Sequence, residues 1–340
     1  SVRLPATWCG VVGYKPTYGS ISRYGVVAYA SSLDTVGILA RTVPCTTLVM
    51  DCVAGRSDRD ATSIQKHEAY FQSSWFDSHD RDAIALQSKE KLIFNGVRIG
   101  IPSAFSVDEC PRSVHDAWQT TATKLRKLGA TIVNISSDVI RPETVKNSLA
   151  AYYVIACAEA SSNLMRYDGL RYGPTISSDG EEEINESSQS SYTPLEQQYS
   201  KYRSSTFGVE VQRRIVCGTA VLSSDYKHTH YEAASKLRAE MIKEFDEAFS
   251  LVDLILVPTA VSPPPQFDIE NDSTEMLGND VMTVPISLAG LPTISIPVDE
   301  NNFLNNVGEQ SPGVTGMQLV GAKSNDELVL SFATMAEGNL

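Results

Sequence analysis

Histidine, paired cysteines and long apolar runs are scarce in this chain, and each scarcity excludes a class of protein. Only five histidines are present, and the six cysteines include no CxxC pair. Neither a zinc site nor a disulfide framework is therefore indicated, and we expect a reduced protein with small, buried thiols. Apolar runs such as residues 254–257 are far too short to cross a bilayer.

A surplus of basic residues is also lacking. The chain has 28 Lys and Arg against 41 Asp and Glu, which gives a net charge of −13. Dominant binding to a nucleic-acid backbone needs clustered cations that displace counterions. We expect any contact with RNA to be local, or to be made by a partner.

What is present is an alternation of strand-like and helix-like segments over 340 residues, enough for a sizeable core. The sequence "GVRIGIP" (96–102) predicts a strand, and Ser113 offers a helix N-cap. The helix that follows carries a buried stripe and ends at Gly129, after which "ATIVNI" (130–135) predicts a second strand. Strand, helix and strand at this spacing indicate a βαβ unit with a parallel pair.

Further along, the pattern predicts helices over residues 151–167, 226–249 and 325–336, and strands over 252–258 and 315–321. The fold class is α/β, with helices on both faces of a sheet. One segment breaks the alternation, because residues 177–198 are acidic, Ser-rich and poor in apolar side chains. We interpret it as a surface insertion.

The opening stretch, "SVRLPATWCGVVGYKPTYGSISRYG", raises the question of chemistry. A Ser beside a glycine-rich turn is a way to present a hydroxyl, but the hydroxyl needs a base to become a nucleophile. No His lies within the first sixty-six residues. Lys15 is the nearest lysine, and its "GYKPTYG" context predicts a solvated turn. From these residues alone, Ser1 is either a nucleophile or merely the first residue of the sequence.

Four long segments together resemble the amidase signature family, in its branch of glutaminase subunits of tRNA-dependent amidotransferases. They follow the family's order and cover most of the chain apart from the acidic insertion and residues 64–94. The segments are "SVRLPATWCGVVGYKPTYGSISRYGVVAYASSLDTVG", "YYVIACAEASSNLMRYDGLRYG", "FGVEVQRRIVCGTAVLSSDY" and "NDVMTVPISLAGLPTISIPV".

The resemblance implies an amidase-signature fold, in which helices cover both faces of a mixed, largely parallel sheet. Residues 1–340 would form a single domain of that kind without its N-terminal part. Ser1, followed by Val2-Arg3 and by Pro5, falls on the family's acyl-enzyme nucleophile. In the family, a Lys base, a Ser in a cis peptide and the oxyanion-hole amides all lie upstream. We therefore expect the chain by itself to be inactive.

The resemblance also implies three substrate-binding residues. Arg214 matches the arginine that pairs with the α-carboxylate of glutamine, a task suited to its planar fork. Asp280 matches the acid that holds the α-ammonium group, and Tyr152 matches a tyrosine of the pocket. Without the family, these residues would be interpreted as a surface arginine, a helix N-cap and a core aromatic.

The implied function is glutamine hydrolysis that supplies ammonia for converting Glu-tRNA(Gln) to Gln-tRNA(Gln). No cofactor or metal is expected on this chain, since ATP and Mg²⁺ would be used by a partner, the B subunit of the amidotransferase. A small third subunit would complete the complex, and mischarged tRNA would be contacted through the partner. The insertion and the divergent residues 64–94 favour the mitochondrial matrix, with the cytoplasm as the alternative for a bacterial source.

Three other functions stay open at this point. The chain could be a stand-alone amidase for another small amide, which should lack the Arg214 and Asp280 pair. It could be a non-catalytic scaffold subunit that has kept the fold and lost its base. A hydrolase that uses the Ser1 amine as base is disfavoured, because the family match makes Ser1 an internal residue.

Overall fold

The computed structural model describes residues 1–64, 92–108, 110–172, 192–262, 264, 278–298 and 315–340. The chain divides into two units, which are described separately. The first unit comprises Ser1–Val26, Thr35–Tyr152 and Lys236–Leu340. The second comprises Val27–Asp34 and Tyr153–Ser235. The expected single domain stays a prediction.

The described strands of the first unit form one seven-stranded sheet with the order β2-β1-β6-β7-β5-β3-β4. They are β1 Val12–Lys15, β2 Ile38–Ala40, β3 Arg98–Pro102, β4 Thr131–Ile135, β5 Leu254–Pro258, β6 Thr293–Val298 and β7 Thr315–Gly321. The helices of the described residues, over both units, are α1 Arg3–Trp8, α2 Val43–Val53, α3 Arg112–Lys127, α4 Pro142–Asn163, α5 Pro194–Thr206, α6 Val209–Val221, α7 Glu232–Leu251, α8 Val284–Leu288 and α9 Asp326–Ala336. This α/β architecture confirms the predicted fold class.

The predicted βαβ unit is confirmed. Strands β3 and β4 pair in parallel from Arg98 with Thr131 to Pro102 with Ile135, and α3 connects them. Trp118 and Leu125 of α3 are buried, and the chain leaves the helix at Gly129, which has a positive φ of 104°. An L side chain would be strained in that conformation, so glycine is suited to ending the helix there.

The expectation that the sheet is largely parallel is wrong for the described strands. Only β3 pairs in parallel, with β4 and with β5. The pairings β1–β2, β1–β6, β5–β7 and β6–β7 are all antiparallel. The sequence predicts β5 and β7 as strands but not how they pair, whereas the helical crossover between β3 and β4 implies a parallel pair.

Three helix boundaries differ from the prediction. Pro111, not Ser113, stands at the N-cap of α3, where no side chain caps the helix. Helix α4 begins at Pro142 rather than at residue 151, and a 3₁₀ turn Leu164–Arg166 follows it. The predicted helix 226–249 is a π-helical turn Lys227–Tyr231 continued by α7.

Helix α1 lies close against the sheet, and two glycines permit the approach. A Cβ at Gly13 of β1 would stand 2.5 Å from Ala6 Cβ and 2.9 Å from the Val2 carbonyl oxygen. A Cβ at Gly316 of β7 would overlap the Thr7 side chain. Because only hydrogen fits at both positions, the helix that follows Ser1 is seated directly on the sheet.

The second unit is built from the second half of α4 together with α5 and α6. The two helices α4 and α6 approach so closely at Gly218 that a Cβ there would overlap the Cys157 carbonyl. Helix α5 begins with a capping box between Thr193 and Glu196. Residues 194–198 of the acidic segment therefore belong to a helix, whereas residues 177–191 lie outside the described residues.

The cysteine prediction is only partly correct. Cys157 is buried and Cys110 is half-buried, whereas Cys9, Cys45, Cys52 and Cys217 are exposed. In the part of the chain that the structure describes, no helix has both the length and the apolar character needed to cross a membrane.

Candidate functional site

Ser1 lies two residues before α1, in the first unit. Ser1 is exposed. The Asp280 carboxylate and the Arg3 guanidinium both act electrostatically at the backbone nitrogen of Ser1. The charges of Asp280 and Arg3 thus act directly at the residue that the resemblance makes the nucleophile.

Asp280 lies in a 3₁₀ turn, Asn279–Met282, immediately before α8. The side chain of Thr283 donates a hydrogen bond to the Asp280 carbonyl oxygen over 3.1 Å, and its amide donates to the same oxygen over 3.0 Å. Asp280 itself is half-buried. Within the first unit, the charge of Asp280 therefore acts at the backbone nitrogen of Ser1, and the roles of the two residues stay predictions.

Arg3 connects α1 with the turn that carries Asp280. Its Nη1 donates to Gln318 Oε1 over 2.6 Å, and its Nη2 donates to the Thr283 carbonyl over 2.8 Å and to Ser287 Oγ over 2.7 Å. Gln318 in turn donates from Nε2 to the carbonyls of Met282 and Pro258, over 2.8 and 3.0 Å. Arg3 and Gln318 are both buried.

The same network leaves Arg3 with neutral acceptors and one nearby acid. Burial lowers the pKa of the Arg3 guanidinium, and Asp280 opposes that effect. In the sequence, Arg3 only contributes to the family resemblance, and Gln318 is not predicted at all. No local pattern marks this pair, because 315 positions separate the two residues.

The position of Lys15 differs from the solvated turn that the sequence predicts. It is the last residue of β1 and is only 8% exposed, so it does not lie in a solvated turn. Its Nζ donates to the Pro16 carbonyl over 2.9 Å. Burial lowers the pKa of Lys15 to about 7, Arg3 contributes in the same direction, and Asp326 partly opposes them.

Arg214 lies on α6, in the second unit. Its Nε donates to Glu210 Oε1 and its Nη1 donates to the Tyr29 hydroxyl, each over 2.9 Å. Burial alone would lower the pKa of the guanidinium, but the hydrogen bonds to Tyr29 and Glu210 raise it above its ordinary value. Arg214 is therefore a permanently charged group held in a defined orientation, as a carboxylate-binding arginine should be.

Two tyrosines flank this guanidinium. The Arg214 Cζ atom lies 5.8 Å from the ring centroid of Tyr29 and 5.9 Å from that of Tyr153. Tyr152, which the resemblance placed in the pocket, is a half-buried residue of α4 and belongs to the first unit. Within the second unit the aromatic partners of Arg214 are thus Tyr29 and Tyr153, which the sequence analysis missed.

Metal chemistry has no visible basis among the residues described. No group of three or more His, Cys, Asp or Glu side chains is arranged there to hold a metal ion. The groups that offer chemistry are the hydroxyl of Ser1, the carboxylate of Asp280 and the guanidinium of Arg214.

Comparison with protein families gives a match over nearly the whole chain. The amidase family model matches residues 1–330. The chain belongs to the amidase family. The resemblance drawn from the four sequence segments is thereby confirmed.

Individual amidases give the same result. The A subunit of glutamyl-tRNA(Gln) amidotransferase from Granulibacter bethesdensis is 40% identical over 339 residues, which cover 99% of this chain and 60% of that protein. The mitochondrial A subunit of the same enzyme from Emericella nidulans is 39% identical over 365 residues, covering 99% of this chain and 67% of that protein. This amidase spans about 60% of the length of the first curated relatives it matches.

The solved structures support the fold. The crystal structure of the glutamyl-tRNA(Gln) amidotransferase A subunit from Thermotoga maritima is similar to this chain with a TM-score of 0.69 and 29% identity. The similarity covers 100% of this chain and 60% of that one. The mixed seven-stranded sheet with its helices is therefore an amidase fold.

Proposed function

We propose that this chain is the glutaminase part of a tRNA-dependent amidotransferase. The observation that carries the proposal is the 40% identity to the A subunit of a glutamyl-tRNA(Gln) amidotransferase over 339 residues. Two charged groups add support. The charge of Asp280 acts electrostatically at Ser1, and a hydrogen bond to Tyr29 orients the Arg214 guanidinium, which can bind an anion. Glutamine carries an ammonium, a carboxylate and a side-chain amide, which correspond to these three groups.

The proposed reaction is acyl transfer. Ser1 Oγ attacks the side-chain amide carbonyl of glutamine and loses its proton to a base that the resemblance places outside residues 1–340. The C–N bond breaks, the nitrogen leaves as ammonia after receiving that proton, and water hydrolyses the γ-glutamyl ester to glutamate. Arg214 binds the α-carboxylate, Asp280 the α-ammonium, and Tyr152 the body of the substrate.

The proposed partners follow from the same identity. A second protein of the complex activates Glu-tRNA(Gln) with ATP and Mg²⁺, accepts the ammonia and contacts the tRNA, and a small third one joins the two. No cofactor is proposed for this chain. The mitochondrial matrix is the proposed location, supported by the mitochondrial relative from Emericella nidulans.

The test separates glutamine hydrolysis from the later amidation. In the complete protein with its partner subunits, Ser1→Ala should abolish glutamine-dependent amidation of mischarged tRNA and leave amidation from added ammonium chloride intact. The reason is that the partner needs only ammonia. The matched control is Ser113→Ala on the exposed surface of α3, which should change neither activity.

If Ser1→Ala reduced both activities equally, Ser1 would be a structural residue and the proposal would fail. If Ser1→Ala retained glutamine-dependent amidation, the scaffold interpretation would replace it. A complex with the same kcat/KM for glutamine and for amides that lack the α-carboxylate would instead favour the stand-alone amidase.

A further inference from the structure

The geometry of the second unit points to Tyr29 as a further specificity-determining residue. We propose that the Tyr29 hydroxyl donates a hydrogen bond to the carboxylate that Arg214 binds. The phenol and the guanidinium would then bind this end of the substrate together. The inference rests on the proposed function, because it takes the ligand of Arg214 to be a carboxylate.

The hydrogen bond between the two residues leaves the phenol as a donor. Arg214 Nη1 donates to the Tyr29 oxygen over 2.9 Å, so the hydroxyl acts as the acceptor in that contact. A tyrosine hydroxyl can accept and donate at once. Among the described residues no acceptor takes the Tyr29 proton, and burial raises the pKa of this phenol despite the opposing effect of Arg214. The hydroxyl is therefore protonated at neutral pH and available as a donor.

The guanidinium has further donors beside this phenol. An arginine carries five N–H groups in a planar fork. The Glu210 carboxylate takes the Nε–H group, and Tyr29 takes one of the two on Nη1. The side chain of Arg214 is 29% exposed, so a ligand can reach it. A carboxylate bound to the remaining N–H groups of Arg214 would lie next to the Tyr29 hydroxyl, which accepts from Nη1 of the same guanidinium.

The loop that carries Tyr29 is held in place by side chains of the loop itself and of α4. Within the loop, the Asp34 carboxylate accepts from the amides of Tyr29 and Ala30 over 2.9 and 3.0 Å. From α4, Asn163 donates to the Tyr29 carbonyl over 2.9 Å. Glu159 of the same helix accepts from the Ser32 amide over 2.8 Å and from its hydroxyl over 2.6 Å.

These contacts fix a segment that has no regular secondary structure of its own. Asn163 also donates to Ser31 Oγ over 2.9 Å, so one turn of α4 holds three positions of the loop. A binding group that is already ordered loses little conformational entropy when its ligand arrives. Preorganisation of this kind is what a residue that discriminates between substrates requires.

The experiment compares two amides that differ in one group. Glutamine and 4-aminobutanamide share the side-chain amide and an ammonium group, and only glutamine has the α-carboxylate. In the complete complex, Tyr29→Phe should lower kcat/KM for glutamine by about 10- to 100-fold, as expected for a hydrogen bond to a charged group. The change should appear mainly in KM, and kcat/KM for 4-aminobutanamide should stay the same. Tyr24→Phe is the matched control, since Tyr24 is 62% exposed on the first unit.

Arg214→Ala distinguishes failure of this inference from failure of the proposed function. If Arg214→Ala lowers activity toward glutamine selectively and Tyr29→Phe does not, Tyr29 has no part in binding and the inference is overturned, while the proposed function stands. If Arg214→Ala affects both amides equally, Arg214 does not bind the carboxylate and the proposed function itself is wrong. If Tyr29→Phe reduces activity toward both amides, Tyr29 is structural, which also overturns the inference.

Discussion

At Lys15, burial of the side chain opposes the charged form of its amine. Its side chain ends the buried strand β1, with one hydrogen bond to the Pro16 carbonyl. The buried carboxylate of Asp326 acts on it from nearby, but that carboxylate already accepts from Tyr14 over 2.5 Å and from the Thr17 amide over 2.9 Å. A buried amine in such a place favours its neutral form.

This conflict predicts a pH-dependent stability. The pKa of Lys15 is about 7 in the folded protein against an ordinary value of 10.5. Between these values the unfolded chain binds a proton that the folded protein does not, so the free energy of unfolding rises with pH across this window. The effect of one such group is up to about 5 kcal/mol.

The measurement is the free energy of unfolding in urea from pH 7 to pH 10 for the wild type and Lys15→Met. Methionine keeps the length of the side chain without its charge, so the variant should lose this part of the pH dependence and be at least as stable at pH 7. Lys127→Met, at an exposed position of α3, serves as a comparison. Parallel pH profiles for the wild type and Lys15→Met would contradict the assignment.

At the scale of elements, the important connection is the one between α1 and the 3₁₀ turn that carries Asp280. Arg3 belongs to the helix, and its acceptors at Thr283 and Ser287 belong to the segment that follows the turn. Gln318 of β7 joins both, because it accepts from Arg3 and donates to the Met282 carbonyl. The relative positions of Ser1 and Asp280 therefore depend on the buried Gln318, although none of these hydrogen bonds joins Gln318 to either residue.

Gln318→Met should consequently destabilise the protein. It leaves the Arg3 guanidinium without one acceptor and the carbonyls of Met282 and Pro258 without a donor, and the expected loss is about 2–4 kcal/mol in the free energy of unfolding. Gln119→Met, at an exposed position of α3, should change stability by less than about 0.5 kcal/mol. Equal effects of the two substitutions in urea titrations would show that the Gln318 hydrogen bonds contribute nothing.

The elements also show what the sequence could predict. The β3-α3-β4 unit is predictable because its signals are local: a short β-branched run, a helical stripe around Trp118 and a terminating glycine. Strand β1 escapes prediction because "VGYK" is short and ends in a lysine, a residue type that is usually exposed. Its burial comes from α1 above and from β2 and β6 beside it, which no local pattern reveals.

The residues of the candidate site also divide into those that the sequence predicts and those that only the structure reveals. Ser1, Arg214 and Asp280 are identified by resemblance to a family, and the structure gives each of them a specific setting. Tyr29 and Gln318 are not identified in this way, because each makes its contact with a residue far away in the sequence. Tyr29 and Arg214, for example, are 185 positions apart. Sequence patterns record periodicity over a few turns, whereas these contacts exist only after the chain has folded.

At the scale of the whole molecule, the dominant property is a net charge of −13. Several arginines that could face a polyanion are already engaged by acids: Arg98 by Asp253, Arg141 by Glu240 and Glu244, and Arg213 by Glu210. Binding to a nucleic-acid backbone gains its free energy from counterions released by clustered, available cations. The excess of 41 acidic over 28 basic residues opposes such binding.

The protein freed of its partner subunits should therefore bind tRNA only weakly, with a Kd of roughly 10⁻⁴ M or above near physiological salt. The assembled complex should bind far more tightly, because the proposed partner contacts the tRNA. Fluorescence anisotropy of labelled tRNA, titrated with each sample at low and at physiological salt, measures both affinities and their salt dependence. Tight binding by the free protein, weakening steeply as salt is added, would reveal a basic surface in the rest of the molecule. The assignment of tRNA recognition to the partner would then be wrong, although the glutaminase chemistry proposed for Ser1 would be unaffected.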